Sequence, residues 1–263
     1  MNIGLIIVGD EILSGKRQDK HLSKVVELLS ARGLQLAWAR VVGDDRALIT
    51  AALRDAFASG SLVFSCGGIG ATPDDHTRQC AAAALGVDLA LHPGARDLIM
   101  ERMRDVAAEQ GLSFEPDRAD NRHRLNMGVF PLGATLIPNP FNKIAGFSLG
   151  HVHFVPGFPV MAWPMIEWVL DQHYASLRGG TRQVERSVIV FGAMEASLTP
   201  LMEDIEARFA GVKVFSLPSV DHPQWGKHIE LGVKAAGDPQ EAYAALRAGL
   251  EQFGARLGPE LVR

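Results

Sequence analysis

Cysteine is scarce in this sequence: Cys66 and Cys80 are the only two. Their separation is unlike CxxC, and they read as reduced, largely buried thiols of a cytoplasmic protein. An excess of charge is missing as well. Thirty acidic residues face 26 basic ones, for a net charge of −4. That balance leaves no electrostatic footprint for non-specific nucleic-acid binding. The N-terminal apolar run is too short to cross a bilayer. The N-terminal stretch Asn2–Val8 also lacks the basic start and small-residue cleavage site of a signal peptide, so it reads as a buried strand. No GK[ST] follows the glycine turns, which excludes a Walker loop. No GxGxxG follows the first strand, which removes the dinucleotide fingerprint. The absence of a GxSxG elbow or a Cys–His pairing argues against covalent acyl chemistry. No internal repeat or low-complexity segment is evident.

What remains is a chain that is 47% hydrophobic, enough for one large or two modest domains. Ile3–Val8 reads as a strand. Leu22, Val25, Val26 and Leu29 recur at helical spacing up to Gly33. Leu34–Val42 is the next strand, and Asp44 or Asp45 caps a helix with inner face Leu48, Ile49, Ala52, Leu53 and Ala56. Ser61–Cys66 is a third strand, followed by a glycine turn and a helix through Leu85. This alternation predicts a mainly parallel sheet with helices on both faces. A helix over Gly94–Gln110, a short one over Asn121–Asn126, a hairpin of Phe147–Leu149 and Val152–Val155, and a helix over Val160–Leu170 complete a first domain at residues 1–176. Leu177–Thr181 reads as a linker. Residues 182–263 follow as a small α+β domain of βαββα order, with Leu246, Leu250, Phe253 and Leu257 as the stripe of its last helix.

In an open parallel sheet, ligands sit beyond the carboxyl ends of the strands. Three polar corners gather there: Gly9-Asp10-Glu11, Gly43-Asp44-Asp45 and Gly67-Gly68-Ile69-Gly70. The third opens the stretch GGIGATPDDHT at 67–77. Thr72 as N-cap, Pro73 at N1 and the two aspartates after it would make a sound helix start with no ligand at all. Three glycines in four residues call for more, either positive φ or close approach of backbone to something. Amides of such a turn can hold a phosphate or a pterin-like ring. Carboxylates beside a phosphate make sense when a divalent cation lies between them. Asp10, Glu11, Asp44, Asp74 and Asp75 are the candidates for that role.

These motifs carry a resemblance. GDEILSG at 9–15, with Asp19, resembles the opening of the CinA (competence/damage-inducible protein A) family. GGIGATPDDHT resembles its GGLGPTxDDxT signature. NPFNKIAGF at 139–147, VPGFPVMAWPM at 155–165 and GAMEASL at 192–198 resemble three further motifs, so the likeness covers nearly the whole chain. It implies an α/β, three-layer MogA/MoaB-like (molybdopterin-binding) domain followed by a small KH-like α+β domain. No clamp of the GXXG type flanked by basic residues occurs there, so the KH-like label does not imply RNA binding. The amidase domain of longer family members has no counterpart in these residues, and its activity is not carried over. The resemblance implies a phosphorylated small molecule as partner, nucleotide or pterin, with no nucleic acid and no membrane, and a homo-oligomer, dimer or trimer. It implies a divalent metal (Mg²⁺, Mn²⁺ or Co²⁺) or molybdopterin as cofactor. The expected activity is metal-dependent pyrophosphatase action on ADP-ribose-like nucleotides; the alternative is molybdopterin binding without turnover.

Carried over by residue, Gly67, Gly68, Gly70, Thr72, Asp74, Thr77, Asn139 and Lys143 would bind the ligand. Asp44 and Asp75 would hold the metal, and Asp10 or Glu11 would position the attacking water. The chain departs from the family at Lys20-His21, where Thr-Asn is usual, at Ala71, where the family has proline, and at Asn142-Lys143, where it has Gly-Thr. Lys143 could neutralise a phosphate or be solvated; both readings stand. His151 and His153 lack a third ligand at useful spacing and read as packing or surface residues. Asp221–Gly226 reads as a loop between strands.

Overall fold

The computed structural model describes residues 1–177 and 183–263. The chain forms two compact units that divide between residues 178 and 179. Apart from Leu177, the expected linker lies outside the described residues.

The first unit runs β1 (Ile3–Val8), α1 (Asp10–Leu13), α2 (His21–Ser30), β2 (Trp38–Val42), α3 (Arg46–Ala58), β3 (Leu62–Cys66), α4 (Thr77–Leu85), β4 (Leu89–Leu91), α5 (Pro93–Glu109), α6 (Ala119–Arg124), β5 (Val129–Pro131), β6 (Thr135–Ile137), β7 (Gly146–Leu149), β8 (Val152–Val155) and α7 (Pro159–His173). Its main sheet has the order β2-β1-β3-β8-β7-β6. β1, β2, β3 and β8 pair in parallel, while β7 and β6 close the edge antiparallel. Every residue of β1 and β3 is buried, the signature of central strands covered on both faces. One face packs against α3 and α4, and a stack of Phe130, Phe147 and Phe154 with ring centroids 4.6 and 4.4 Å apart closes that layer. The other face packs against α2 and α7. The three-layer α/β arrangement read from the sequence is the one observed. It places the corners after β1, β2 and β3 on one edge of the sheet.

Several local readings change. Of the expected α2 stripe, Val25 and Leu29 are buried along with Leu28, whereas Leu22 and Val26 are exposed. Leu48 is exposed on α3. α4 begins at Thr77 rather than at Thr72-Pro73, because residues 72–75 close a separate turn. The β4–β5 ribbon and β6, three residues each, carry no period that a sequence reading could use. Cys66 and Cys80 are buried free thiols.

The second unit contains β9 (Gln183–Phe191), α8 (Glu195–Arg208), β10 (Lys213–His222), β11 (Gly226–Ala236), α9 (Gln240–Gln252) and β12 (Arg256–Val262). The antiparallel sheet has the order β10-β11-β9-β12. Its core joins Val188, Val190, Leu231 and Val233 to Leu198, Leu246 and Leu250 of the helices. The order is therefore βαββαβ. α9 stops before Phe253, which is exposed. Gly254 takes φ +69°, and Leu257 lies in β12, paired with Val190. The loop expected at 221–226 is the tip of the β10–β11 hairpin, where the rings of His222 and Trp225 stack 4.5 Å apart. Among the described residues no helix is long and apolar enough to cross a membrane.

Candidate functional site

The corner after β3 is held together from within. Gly67 has φ +104° and Gly68 φ +69°. A Cβ on Gly67 would sit 2.3 Å from the Val8 carbonyl oxygen, one on Gly68 would lie 2.2 Å from Thr77 Oγ1, and one on Gly70 would lie 2.6 Å from Asp75 Oδ2. The close approach that the glycines require is thus made to the chain's own atoms. Thr77 is fully buried, and its hydroxyl donates to the Gly67 carbonyl at 3.1 Å. It supports the turn from beneath instead of facing a ligand.

The following residues form a second latch. Asp75 Oδ2 accepts from the Thr72 amide at 2.8 Å and from the Thr72 hydroxyl at 2.5 Å, while the Asp75 amide donates back to the Thr72 carbonyl at 3.1 Å. Thr72 is therefore not the cap of α4; Asp75 ties it into a turn of its own. Three consecutive carbonyls of the turn are also held by side chains. Arg78 Nη1 donates to Ile69 O at 2.9 Å, Arg78 Nη2 donates to Gly70 O at 2.6 Å, and His123 Nε2 donates to Ala71 O at 3.1 Å. The amides of Gly68, Ile69, Gly70 and Ala71 take no protein acceptor among the described residues. A run of open backbone N–H groups in a glycine turn is an anion-binding concavity.

These amides border a cleft of about 400 Å³. Glu11, Asp44, Asp74 and Asp75 supply its carboxylates, and Met127, Ile144, Phe158 and Met161 give it an apolar side suited to a flat ring. Asp10 and Asp44 exchange hydrogen bonds, Asp10 N to Asp44 Oδ2 at 2.8 Å and Asp44 N to Asp10 Oδ1 at 3.1 Å, tying the corners after β1 and β2 together. Burial pushes the Asp44 carboxyl above its usual range. The Asp10 amide opposes the rise, and the charges of Asp10, Glu11 and Asp74 add to it. Asp45 caps α3 by accepting from Leu48 N at 2.9 Å. Asp10 does not border the cleft, whereas Glu11 does. Among the described residues no three His, Cys, Asp or Glu side chains group as a metal would require. Asp44 and Asp75, both on the cleft, are engaged with Asp10 and Thr72, so the residues present do not form a resident metal centre.

The remaining expected positions are structural in their contacts. Asn139 is buried. Its amide nitrogen donates to Asn142 Oδ1 at 2.8 Å and Ile144 O at 3.0 Å, and its Oδ1 accepts from Phe141 N at 3.0 Å. It borders the cleft as the frame of its loop. Lys143 stands off the cleft. Its φ is +64°, and its ammonium pairs with Glu101 and Asp105, each at 2.6 Å. Burial pushes both cysteine thiols up, which keeps them protonated and non-nucleophilic. His153 bonds Ser148 and Tyr174 inside the unit and does not line the cleft. Arg78 and His123 escaped the sequence reading, because each acts through carbonyls that no motif displays.

The model of the family described as "Probable molybdopterin binding domain" matches residues 4–175. A CinA-like protein of Syntrophotalea carbinolica is 30% identical over 80% of this chain, and one of Geobacter sulfurreducens is 30% identical over 100% of it. The chain spans 51% and 61% of the lengths of these two relatives. The solved structure of the protein CinA, with unknown function, from Thermoplasma acidophilum is 28% identical with a TM-score of 0.53. That match covers 65% of this chain and 96% of that one. A glycine turn with open amides at the edge of a three-layer α/β unit, within a family match spanning most of that unit, places this chain in the molybdopterin-binding-domain family, as a CinA-family member.

Proposed function

We propose that the cleft of the first unit binds a phosphorylated pterin of the molybdopterin type, with its phosphate on the amides of residues 68–71. The observation that carries this reading is the run of four backbone N–H groups that take no acceptor among the described residues, opening on a cleft with an apolar side. The phosphate would satisfy donors that the fold leaves open, and Met127, Phe158 and Met161 would cover the ring. The family match to a molybdopterin-binding domain supports the same ligand class. A homo-oligomer belongs to this reading, and light scattering coupled to size exclusion tests it.

A second reading is favoured by the four carboxylates on the same cleft. Here the ligand is an ADP-ribose-like diphosphate that brings its own divalent cation. Magnesium needs only one or two protein carboxylates when phosphate oxygens and waters complete its shell. Asp44 and Asp75 would flank that cation. Glu11, rather than Asp10, would face the attacking water, and Asp10 would hold Asp44 in place.

One panel separates the two readings. Melting temperatures are measured with pterin phosphates and with ADP-ribose, each with and without Mg²⁺, Mn²⁺ or Co²⁺, and AMP release is followed in parallel. A ligand that binds the native state raises the melting temperature by mass action. A shift with pterin phosphate and no AMP release supports the first reading. Cation-dependent AMP release supports the second, and in that case Asp75→Asn should abolish it while leaving the melting temperature in place, since the amide oxygen still accepts from Thr72. No shift with any phosphorylated ligand overturns both.

A further inference from the structure

The glycine turn is oriented by groups that no motif of the chain announces. Arg78 leaves the first turn of α4 and is only 4% exposed. Its two guanidinium nitrogens bind the carbonyls of Ile69 and Gly70. Among the described residues its hydrogen bonds go to carbonyls, and it forms no salt bridge with a carboxylate. A buried cation without a paired anion is costly, because carbonyl dipoles replace only part of its hydration. Arginine does not escape that cost by deprotonating. The Asp75 carboxylate is the one charge that acts on it appreciably, and burial outweighs that help.

The third carbonyl of the row, Ala71 O, is held by His123. Asn126 Nδ2 donates to His123 Nδ1 at 3.3 Å, which leaves Nε2 as the nitrogen that carries the proton toward Ala71. The carbonyls of residues 69–71 are thus all fixed by side chains, and the amides of residues 68–71 are all open. Peptide planes are rigid, so fixing a carbonyl fixes the direction of the N–H on the next residue.

We infer that Arg78 and His123 are positioning residues for anion binding: Arg78 clamps the carbonyls of Ile69 and Gly70 and so aims the amides of Gly70 and Ala71 at an incoming phosphate, beside the amides of Gly68 and Ile69 that Thr77 sets through the carbonyls of Gly67 and Gly68, while His123 on Ala71 O anchors the end of the turn where the Thr72 amide meets Asp75, and Arg78 adds a buried positive charge behind the row. This rests on the phosphate reading of the cleft. The ligand class that suits the device is a phosphate monoester or diphosphate. Its charge is the counter-ion that Arg78 lacks among the described residues, and preorganised amides bind it without reorganising. A neutral ring alone would gain nothing from the buried charge.

The test uses inorganic pyrophosphate as probe on the full chain, with affinity measured by calorimetry at two salt concentrations and the four amides followed by ¹⁵N-resolved NMR. Wild type is expected to bind, with the resonances of residues 68–71 moving together. Arg78→Gln should lose about tenfold or more in affinity, the scale of a charge-assisted contact. Its loss should be larger at low salt than at high salt, because the missing term is a charge. Arg78→Lys keeps the charge without the fork and should fall between the two. His123→Ala touches an exposed residue, guards against a folding defect in the core variants, and should weaken binding severalfold. Millimolar guanidinium should recover part of the affinity of Arg78→Gly, a rescue that a purely structural role would not show. If wild type binds pyrophosphate and both Arg78→Lys and His123→Ala match it, the inference is overturned while the phosphate reading stands. If wild type binds no pyrophosphate, the phosphate reading falls, and the inference with it.

Discussion

At the scale of single residues, the turn after β3 shows how glycine answers to packing. Gly67→Ala would drive a methyl into the Val8 carbonyl oxygen, which is backbone of the central strand and has no freedom to withdraw. Gly68→Ala meets the Thr77 hydroxyl, a side-chain atom that can turn aside only by giving up its bond to the Gly67 carbonyl. Both also place alanine at positive φ. The expected outcome in urea titrations is a loss of roughly 2–4 kcal/mol for Gly67→Ala and a smaller loss for Gly68→Ala. His153 makes a different kind of prediction. Burial holds its pKa down to about 3, from an ordinary histidine value of 6.5. Between those values the unfolded chain binds a proton that the native state refuses, so stability is complete above pH 6.5 and falls as the pH is lowered toward 3. The loss is on the order of a few kcal/mol. Denaturation midpoints measured across that window should show the slope in wild type and a reduced one in His153→Asn. The presence of glycines at 67, 68 and 70 was legible in the sequence. Their reason was not, since the atoms they approach belong to Val8, Thr77 and Asp75, the first of these nearly sixty residues away.

At the scale of elements, caps divide into those a sequence shows and those it conceals. Asp45 precedes α3 and accepts from Leu48 N, a local contact across three residues. Asp45→Ala should cost about 1 kcal/mol, read as a lower midpoint with unchanged slope. Thr72-Pro73-Asp74-Asp75 has the composition of a helix start and is a turn closed by Asp75. The same hydrogen-bonding residues serve both purposes, so composition alone could not separate them. Of the expected α2 stripe, Val25 and Leu29 are buried together with Leu28, while Leu22 and Val26 stay exposed, because helical spacing alone does not say which edge of an apolar stripe faces the sheet. The strands β4, β5 and β6 are too short for a period to register. The first residues of β12 read as the end of α9 in the sequence, since Leu257 continues the helical spacing past Gly254, which breaks the helix.

At the scale of the whole molecule, the first unit carries a core on each face of its sheet and the second unit carries one of its own. Leu250 is fully buried in the second. Leu250→Ala should cost about 2–5 kcal/mol there. In calorimetry the transition that carries this loss should be distinct from the one raised by a ligand of the first unit. The sequence by itself determined the alternation of strand and helix, the parallel sheet and the single edge on which three polar corners meet. Local periodicity and chain connectivity leave few other ways to bury those runs. The tertiary structure alone decided what the corners do. It joined Asp10 to Asp44, drew Lys143 away to Glu101 and Asp105, and set Arg78 and His123 behind the glycine turn. Each of those outcomes is a choice of partner at short range. A chain states which groups can donate and accept, but only the packed fold brings a given donor within 3 Å of a given acceptor.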